Sequence, residues 1–247
     1  MEATAAPQRR IRVGDVISET FSIYGQQFGP LIGSAIVVFV VVGVLSGLLS
    51  AGNGVILALL ASLVQLVGHL LYVGFVVKLV EDVRDGRRDE GIGELFSSAT
   101  PAILPLIGFS ILAGIGIAIG LILIIIPGLV LLTFWSVGVP AIVAERVGVF
   151  DAFGRSWRLV RGNAWSVFGA LVVVTLIWVA VGVILVAIAN PIGNGAILIA
   201  NVIAGALTAP IFALAVSVMF FDLGGGRVGE APAAAATPPP PPAAPSA

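Results

Sequence analysis

Residues 148–165 read GVFDAFGRSWRLVRGNAW, a short polar island between two long apolar runs. On a helical wheel Phe150, Phe153, Trp157 and Val160 share one arc, and Asp151, Arg155 and Arg158 fall opposite. Such a helix is expected to lie along a membrane surface, apolar side down, guanidinium groups among the headgroups. The runs on either side, 129–144 and 164–189, contain no charged residue. Each approaches the ~20 apolar residues that a bilayer requires of a helix. The island therefore reads as a loop-helix between membrane spans.

Composition supports the same class. The 247 residues are 59% hydrophobic and only 10% charged, against about 25% charged in soluble domains. A net charge of -1 argues against a nucleic-acid partner. There is no cysteine, which excludes disulfides, thiolate metal sites and a cysteine nucleophile. His69 is the single histidine, so a multi-histidine metal site would need another subunit. No cofactor is expected.

Working outward, residues 13–28 form a second amphipathic segment. Val13, Ile17, Phe21, Tyr24 and Phe28 fall on one side, Asp15, Glu19, Ser22 and Gln26 on the other, and Asp15 is a plausible N-cap. The spans are expected at about 30–51, 55–80, 101–125, 129–144, 164–189 and 196–221, the surface helices at about 13–28 and 149–161. Pro127-Gly128 is read as the turn between the third and fourth spans, and Pro140 and Pro210 as interruptions of the fourth and sixth. Residues 1–12 form a polar tail. Residues 223–247, rich in Ala and Pro with five consecutive prolines at 238–242, cannot bury a core and are expected to be disordered or polyproline-like.

The fold class expected is therefore all-α: a polytopic helical bundle of six transmembrane helices with amphipathic surface helices on one face. All twelve basic residues fall on one side of this map, and the turns of the other side carry no charge. By the positive-inside rule that side is cytoplasmic, and both termini lie there. A three-fold repeat is also readable. Asp15-Val16-Ile17, Glu94-Leu95-Phe96 and Asp151-Ala152-Phe153 would open three units of surface helix plus helical hairpin, which close near Glu81, Glu145 and Asp222. Any protein made of hairpins shows a similar rhythm.

Few residues could carry chemistry. Gln65 and His69 lie one turn apart on one face of the second span, and an intramembrane histidine is a functional-site hypothesis by default. The blander reading is a neutral imidazole hydrogen-bonded to a neighbouring helix. Gly43/Gly47 and Gly116/Gly120 have the spacing that lets helices approach closely. Glu81, Asp82 and Glu145 are most simply paired with Lys78, Arg84 and Arg146. Arg155, Trp157, Arg158 and Arg161 form the one clearly net-basic patch, suited to acidic headgroups or, equally, to fixing topology. No catalytic constellation emerges, and the chain is read as non-enzymatic. Its partners would be the bilayer, anionic lipid headgroups, and a membrane protein or a second copy.

The run 126–165, with Pro127-Gly128, Trp135, Pro140, Glu145 and Arg155-Ser156-Trp157 followed by Arg161-Gly162-Asn163, resembles the membrane domain found beside some glycerophosphodiester phosphodiesterases and related uncharacterised bacterial multi-span proteins. Residues 16–33 and 80–87 fit the same pattern. The resemblance implies a six-span bacterial inner-membrane protein. It implies no hydrolysis, which in the fused proteins belongs to a separate soluble barrel. What the residues themselves leave open is a choice between headgroup binding or partner docking at the basic face and a small-solute permease or channel using Gln65 and His69.

Overall fold

In hydrocarbon each backbone N–H must find its partner within its own segment, so long apolar runs become helices. The computed structural model describes residues 11–52, 54–85, 93–94, 97 and 100–226, without the side chains of 194, 195, 198 and 201. The elements are α1 (Val13–Gln26), α2 (Phe28–Ser50), α3 (Val55–Asp85), a 3-10 turn (Thr100–Ala102), α4 (Ile103–Leu123), α5 (Ile125–Trp135), α6 (Gly138–Glu145), α7 (Val149–Val160), α8 (Ala164–Ala189) and α9 (Asn194–Asp222). No strand occurs among the described residues. Among the described residues, six helical stretches are long and apolar enough to cross a membrane, α5 and α6 together counting as one. The Ala/Pro tail from 227 onward, residues 1–10, Asn53 and the basic Arg87 and Arg88 lie outside the described residues, as do Leu95 and Phe96.

Several boundaries differ from expectation for identifiable reasons. α3 runs on to Asp85, one turn beyond residue 80, held by the Lys78–Glu81 pair at 2.7 Å and by Arg84 in its last turn. Asp15 does not cap α1; Arg12 holds that position, and Asp15 sits in the first turn, where a negative charge faces the helix dipole. The turn between the third and fourth stretches is at Ile124, in extended conformation, and Pro127 lies inside the first turn of α5. The fourth stretch breaks at Ser136–Val137, ahead of Pro140, which sits in the first turn of α6. A proline there gives up an N–H that would be unpaired anyway. Pro210 stays within a continuous α9.

α2 with α3, α4 with α5, and α8 with α9 pack as hairpins, and α3, α6 and α9 meet at the centre. The first helix of each hairpin also packs on the second helix of another: α2 on α9, α4 on α3, α8 on α5. The core follows from this arrangement. Tyr72, Phe75, Val76, Ile142, Leu214, Met219 and Phe220 are all at most 1% exposed. They come from the C-terminal parts of α3, α6 and α9, the end that carries the charged residues.

Both amphipathic helices dock onto this end. α1 lies along α9 and α8, burying Val16, Thr20 and Ile23. α7 lies against α4, α5 and α6, burying Ala152, Ser156, Leu159 and Val160. Protein covers the expected apolar arcs only in part: Val160 is buried and Phe153 half-buried, while Phe21, Phe150 and Trp157 stay 42%, 79% and 42% exposed.

Candidate functional site

The basic patch on α7 divides into two parts. Arg155 turns inward: its Nε and Nη2 donate to the two carboxylate oxygens of Glu145, at 2.8 and 2.7 Å. This is the forked geometry in which a guanidinium matches a carboxylate best. The Glu145 side chain is 1% exposed, and its Oε1 also accepts the backbone N–H of Gly226 at 2.9 Å. Glu145 thus ties the end of α6 to α7 and to the chain leaving α9. The expected partner, Arg146, instead takes the left-handed conformation that ends α6, with φ 52°. Arg155 therefore positions α7 and is not free for a headgroup.

Arg158 and Arg161 remain exposed, with no ion pair among the described residues. Their neighbours are aromatic. Trp157 stacks on Phe134 with ring centroids 4.1 Å apart, and Trp165, one turn beyond Arg161, is 86% exposed. Phe153 is turned inside the protein, 4.4 Å from the Phe109 ring and edge-on to Trp135 at 4.8 Å. Phe150 points outward, 79% exposed. Ser156 donates to the Phe134 carbonyl at 2.7 Å, one of the acceptors released where α5 stops. Beside this corner an apolar groove of about 500 Å³ runs between α5 and α8, walled by Ile126, Val130, Phe134, Trp165 and Phe168. Sequence reasoning did not find this groove, because its walls lie far apart in the chain.

Asn163 closes the corner. Its Oδ1 accepts the Ile11 backbone N–H at 3.2 Å, anchoring the start of α1 at the foot of α8. The other end of α1 is held by Tyr24, whose hydroxyl donates to the Leu207 carbonyl at 3.2 Å; burial pushes this phenol above its ordinary range. A second arginine node lies nearby. Arg84 donates to Glu19 of α1 and to Asp222 of α9, the latter at 2.8 Å, and lies 5.5 Å from the Phe221 ring centroid. Asp82 was the expected partner, but it is a near neighbour in sequence only.

The intramembrane pair is not brought together. Gln65 reaches back to α2, donating to the Ser46 hydroxyl at 3.4 Å. His69 faces a separate opening of about 410 Å³ between the first and third hairpins, lined also by Phe39, Thr175, Trp178, Gly205 and Phe212. Among the glycine pairs, Gly116 lies under Trp135 and Gly120 meets the backbone of Gly128, while a Cβ on Gly43 or Gly47 would meet no atom within 4 Å.

A family described as a domain of unknown function, DUF7847, matches residues 48–221. The chain belongs to this family. It is also similar to a UPF0259 membrane protein of Pectobacterium carotovorum, 31% identical over 153 residues, which is 60% of this chain and 61% of that protein. UPF0259 membrane proteins of Yersinia pestis and Yersinia pseudotuberculosis are 27% identical over 125 residues, 51% of this chain and 47% of theirs. The chain spans between 47% and 61% of the length of these curated relatives. No solved structure matches it. With the helical stretches described above, these likenesses make the chain a multi-pass bacterial membrane protein. The names of the relatives do not mention a phosphodiesterase.

Proposed function

We propose that this DUF7847 protein is a non-enzymatic membrane protein that binds anionic lipid headgroups at the corner between α7 and α8. The observation that carries the reading is the pair of exposed arginines, Arg158 and Arg161, without an ion pair among the described residues, near an apolar groove whose wall includes Trp165 and Phe134, the ring on which Trp157 stacks. A phosphodiester headgroup would meet the arginines, and an acyl chain would enter the groove. Tryptophan is the residue suited to the boundary between them. Arg155 serves the site indirectly, by fixing α7. In this reading the charged end faces the cytoplasm, both termini lie there, and the membrane is the bacterial inner membrane, because that end holds the basic residues. The cyclic packing of the hairpins supports three repeated units, and kinship with the membrane domain beside glycerophosphodiester phosphodiesterases belongs to the same proposal.

Native mass spectrometry of the purified protein with phosphatidylglycerol or phosphatidylcholine tests it. At roughly 1 kcal/mol per basic residue near an anionic surface, changing Arg158 and Arg161 together to Gln should abolish most of a preference for phosphatidylglycerol. An unchanged preference would remove the lipid role and leave docking of a membrane-associated protein as the reading of this face.

One observation favours a second reading, a small-solute permease or channel: His69 lies in the wall of an opening between two hairpins. If water reaches it, a cysteine at His69 will react with a small charged thiosulfonate applied from one side of a sealed vesicle. Failure to react from either side would exclude an aqueous path at this point.

A further inference from the structure

We infer that the middle hairpin, α4–α5, does not cross the bilayer: it enters from the charged end and turns back within the hydrocarbon, presenting a tip from Leu121 to Ile126 to acyl chains. Length and composition qualify all six stretches as spans; what sets this pair apart is how far α5 reaches beyond the groove that it shares with α8. Thr133 and Phe134 of α5 lie across the apolar groove from Trp165 and Phe168 of α8. From that level α5 has only the stretch back to Ile125 before its turn, about 14 Å at the helical rise, while α8 continues from Trp165 to Ala189, about 36 Å. A mutual tilt of even ~40° would narrow this difference without closing it. The first and third hairpins, by contrast, end together. His69, Thr175 and Gly205 share one opening, and from it α3, α8 and α9 run about 21, 21 and 17 Å to their turns. If Trp165 marks the headgroup boundary, the tip stops near the midplane of a ~30 Å hydrocarbon core.

The chemistry of the turns agrees. Between the helices of the two long hairpins the sequence reads AGNG at 51–54 and NPIG at 190–193, four residues each, with glycine and asparagine suited to water. The middle turn is the single residue Ile124, between Ile122, Leu123, Ile125 and Ile126, all five at least 61% exposed. A turn inside hydrocarbon must also leave few backbone groups unpaired. The Ile124 N–H donates to the Gly120 carbonyl at 3.1 Å. Pro127 removes one of the donors that the first turn of α5 would otherwise leave free. Gly120 and Gly128 bring the two backbones together, since a Cβ on Gly120 would sit 2.9 Å from the Gly128 Cα, so no longer loop is needed. The occupant of this tip is the bilayer interior. Beyond it the outer parts of α3 and α8 flank a notch open to the opposite leaflet.

The absence of cysteine makes the test direct. Single variants Ile122→Cys, Leu123→Cys and Ile124→Cys are compared with Ala51→Cys and Ile192→Cys in liposomes carrying a membrane-impermeant maleimide on both sides. Three tip positions guard against one variant failing to fold. The expected result is labelling of Ala51→Cys and Ile192→Cys only, with the tip cysteines reacting after detergent is added. A bimane probe attached at the tip should then be quenched by phospholipid bearing a nitroxide near the end of its acyl chain. Labelling of the tip from water overturns the inference. So does a protected tip that lipid nitroxides do not quench and that cross-links to a second copy, which would make it a protein interface.

Discussion

Tyr72, Ile142 and Leu214 are at most 1% exposed, whereas Val55, Ile56 and Leu59 at the other end of the same bundle are 76%, 74% and 64% exposed. All these residues belong to helices of similar apolarity, so hydrophobicity alone does not separate them. Lipid tails are as apolar as leucine and give no net drive for one helix to leave lipid for another. Close packing at the charged end has other causes. Two docked helices cover it, and the arginine nodes at Arg84 and Arg155 fix the helix ends with ion pairs. The opposite end has no docked helix among the described residues; it is held by its turns, by small buried residues such as Ala61 and Ala200 and by the Gln65–Ser46 hydrogen bond, and leaves most of its large side chains exposed. Order in this molecule is therefore imposed from the charged end.

The strongest way to break that contrast is to remove Arg155. Replacement by alanine leaves the Glu145 carboxylate enclosed, with the Gly226 N–H as its remaining partner among the described residues. Removing one member of a buried pair typically costs about 3–5 kcal/mol. The fully packed side here is Glu145, and Arg155 is 23% exposed, which places the expected loss at the lower end of that range. Thermal unfolding in detergent should show a large fall in midpoint, with Arg158→Ala as the matched control. Equal midpoints for the two variants would mean that the pair does not hold the end.

Next in size is the core itself. Leu214 is wholly buried between the central helices, so Leu214→Ala should cost about 2–5 kcal/mol by loss of contact and creation of a cavity. The same unfolding measurement reads it. A loss below that of Ile→Val-type changes would show that the three central helices pack less tightly than their burial indicates.

Much of this end was legible in the chain. Six apolar stretches, the one-sided charge and the two amphipathic helices follow from runs and periods, which are local properties. Partners were not legible. Glu145 was assigned to Arg146 and Arg84 to Asp82 because those are adjacent, but Arg146 is spent on ending a helix, and Arg84 reaches Glu19 and Asp222 across the fold. Which side of α1 and α7 meets protein was not legible for the same reason: α1 buries Val16, Thr20 and Ile23, and α7 buries Ala152, Ser156, Leu159 and Val160, of which only Val160 belongs to the arcs that a helical wheel marks as apolar. Pro140 misled in a different way. Proline signals a break only in a helix interior, and the chain had already broken at Ser136–Val137. There the Ser156 hydroxyl donates to the Phe134 carbonyl, a contact that no sequence period announces. The short middle turn was visible as LILIIIPG, residues 121–128, but its significance lies in how far the neighbouring helices extend beyond it.

The smallest expected effect completes the comparison. Leu59 projects from α3 at the open end, 64% exposed, and in a bilayer most of its surface touches acyl chains. Truncation to alanine removes contacts that lipid chains can replace by moving in, so no cavity forms and the transfer term nearly cancels. The change should stay within about 0.5 kcal/mol, the usual range for surface substitutions, when measured by the same thermal unfolding. The medium supplies a further check. If the open end is organised by lipid, Leu59→Ala should be neutral in bilayers and in micelles alike, because neither medium has fixed shape. A loss approaching that of Leu214→Ala would mean that this face of α3 is held against protein, which would place a second copy at the open end.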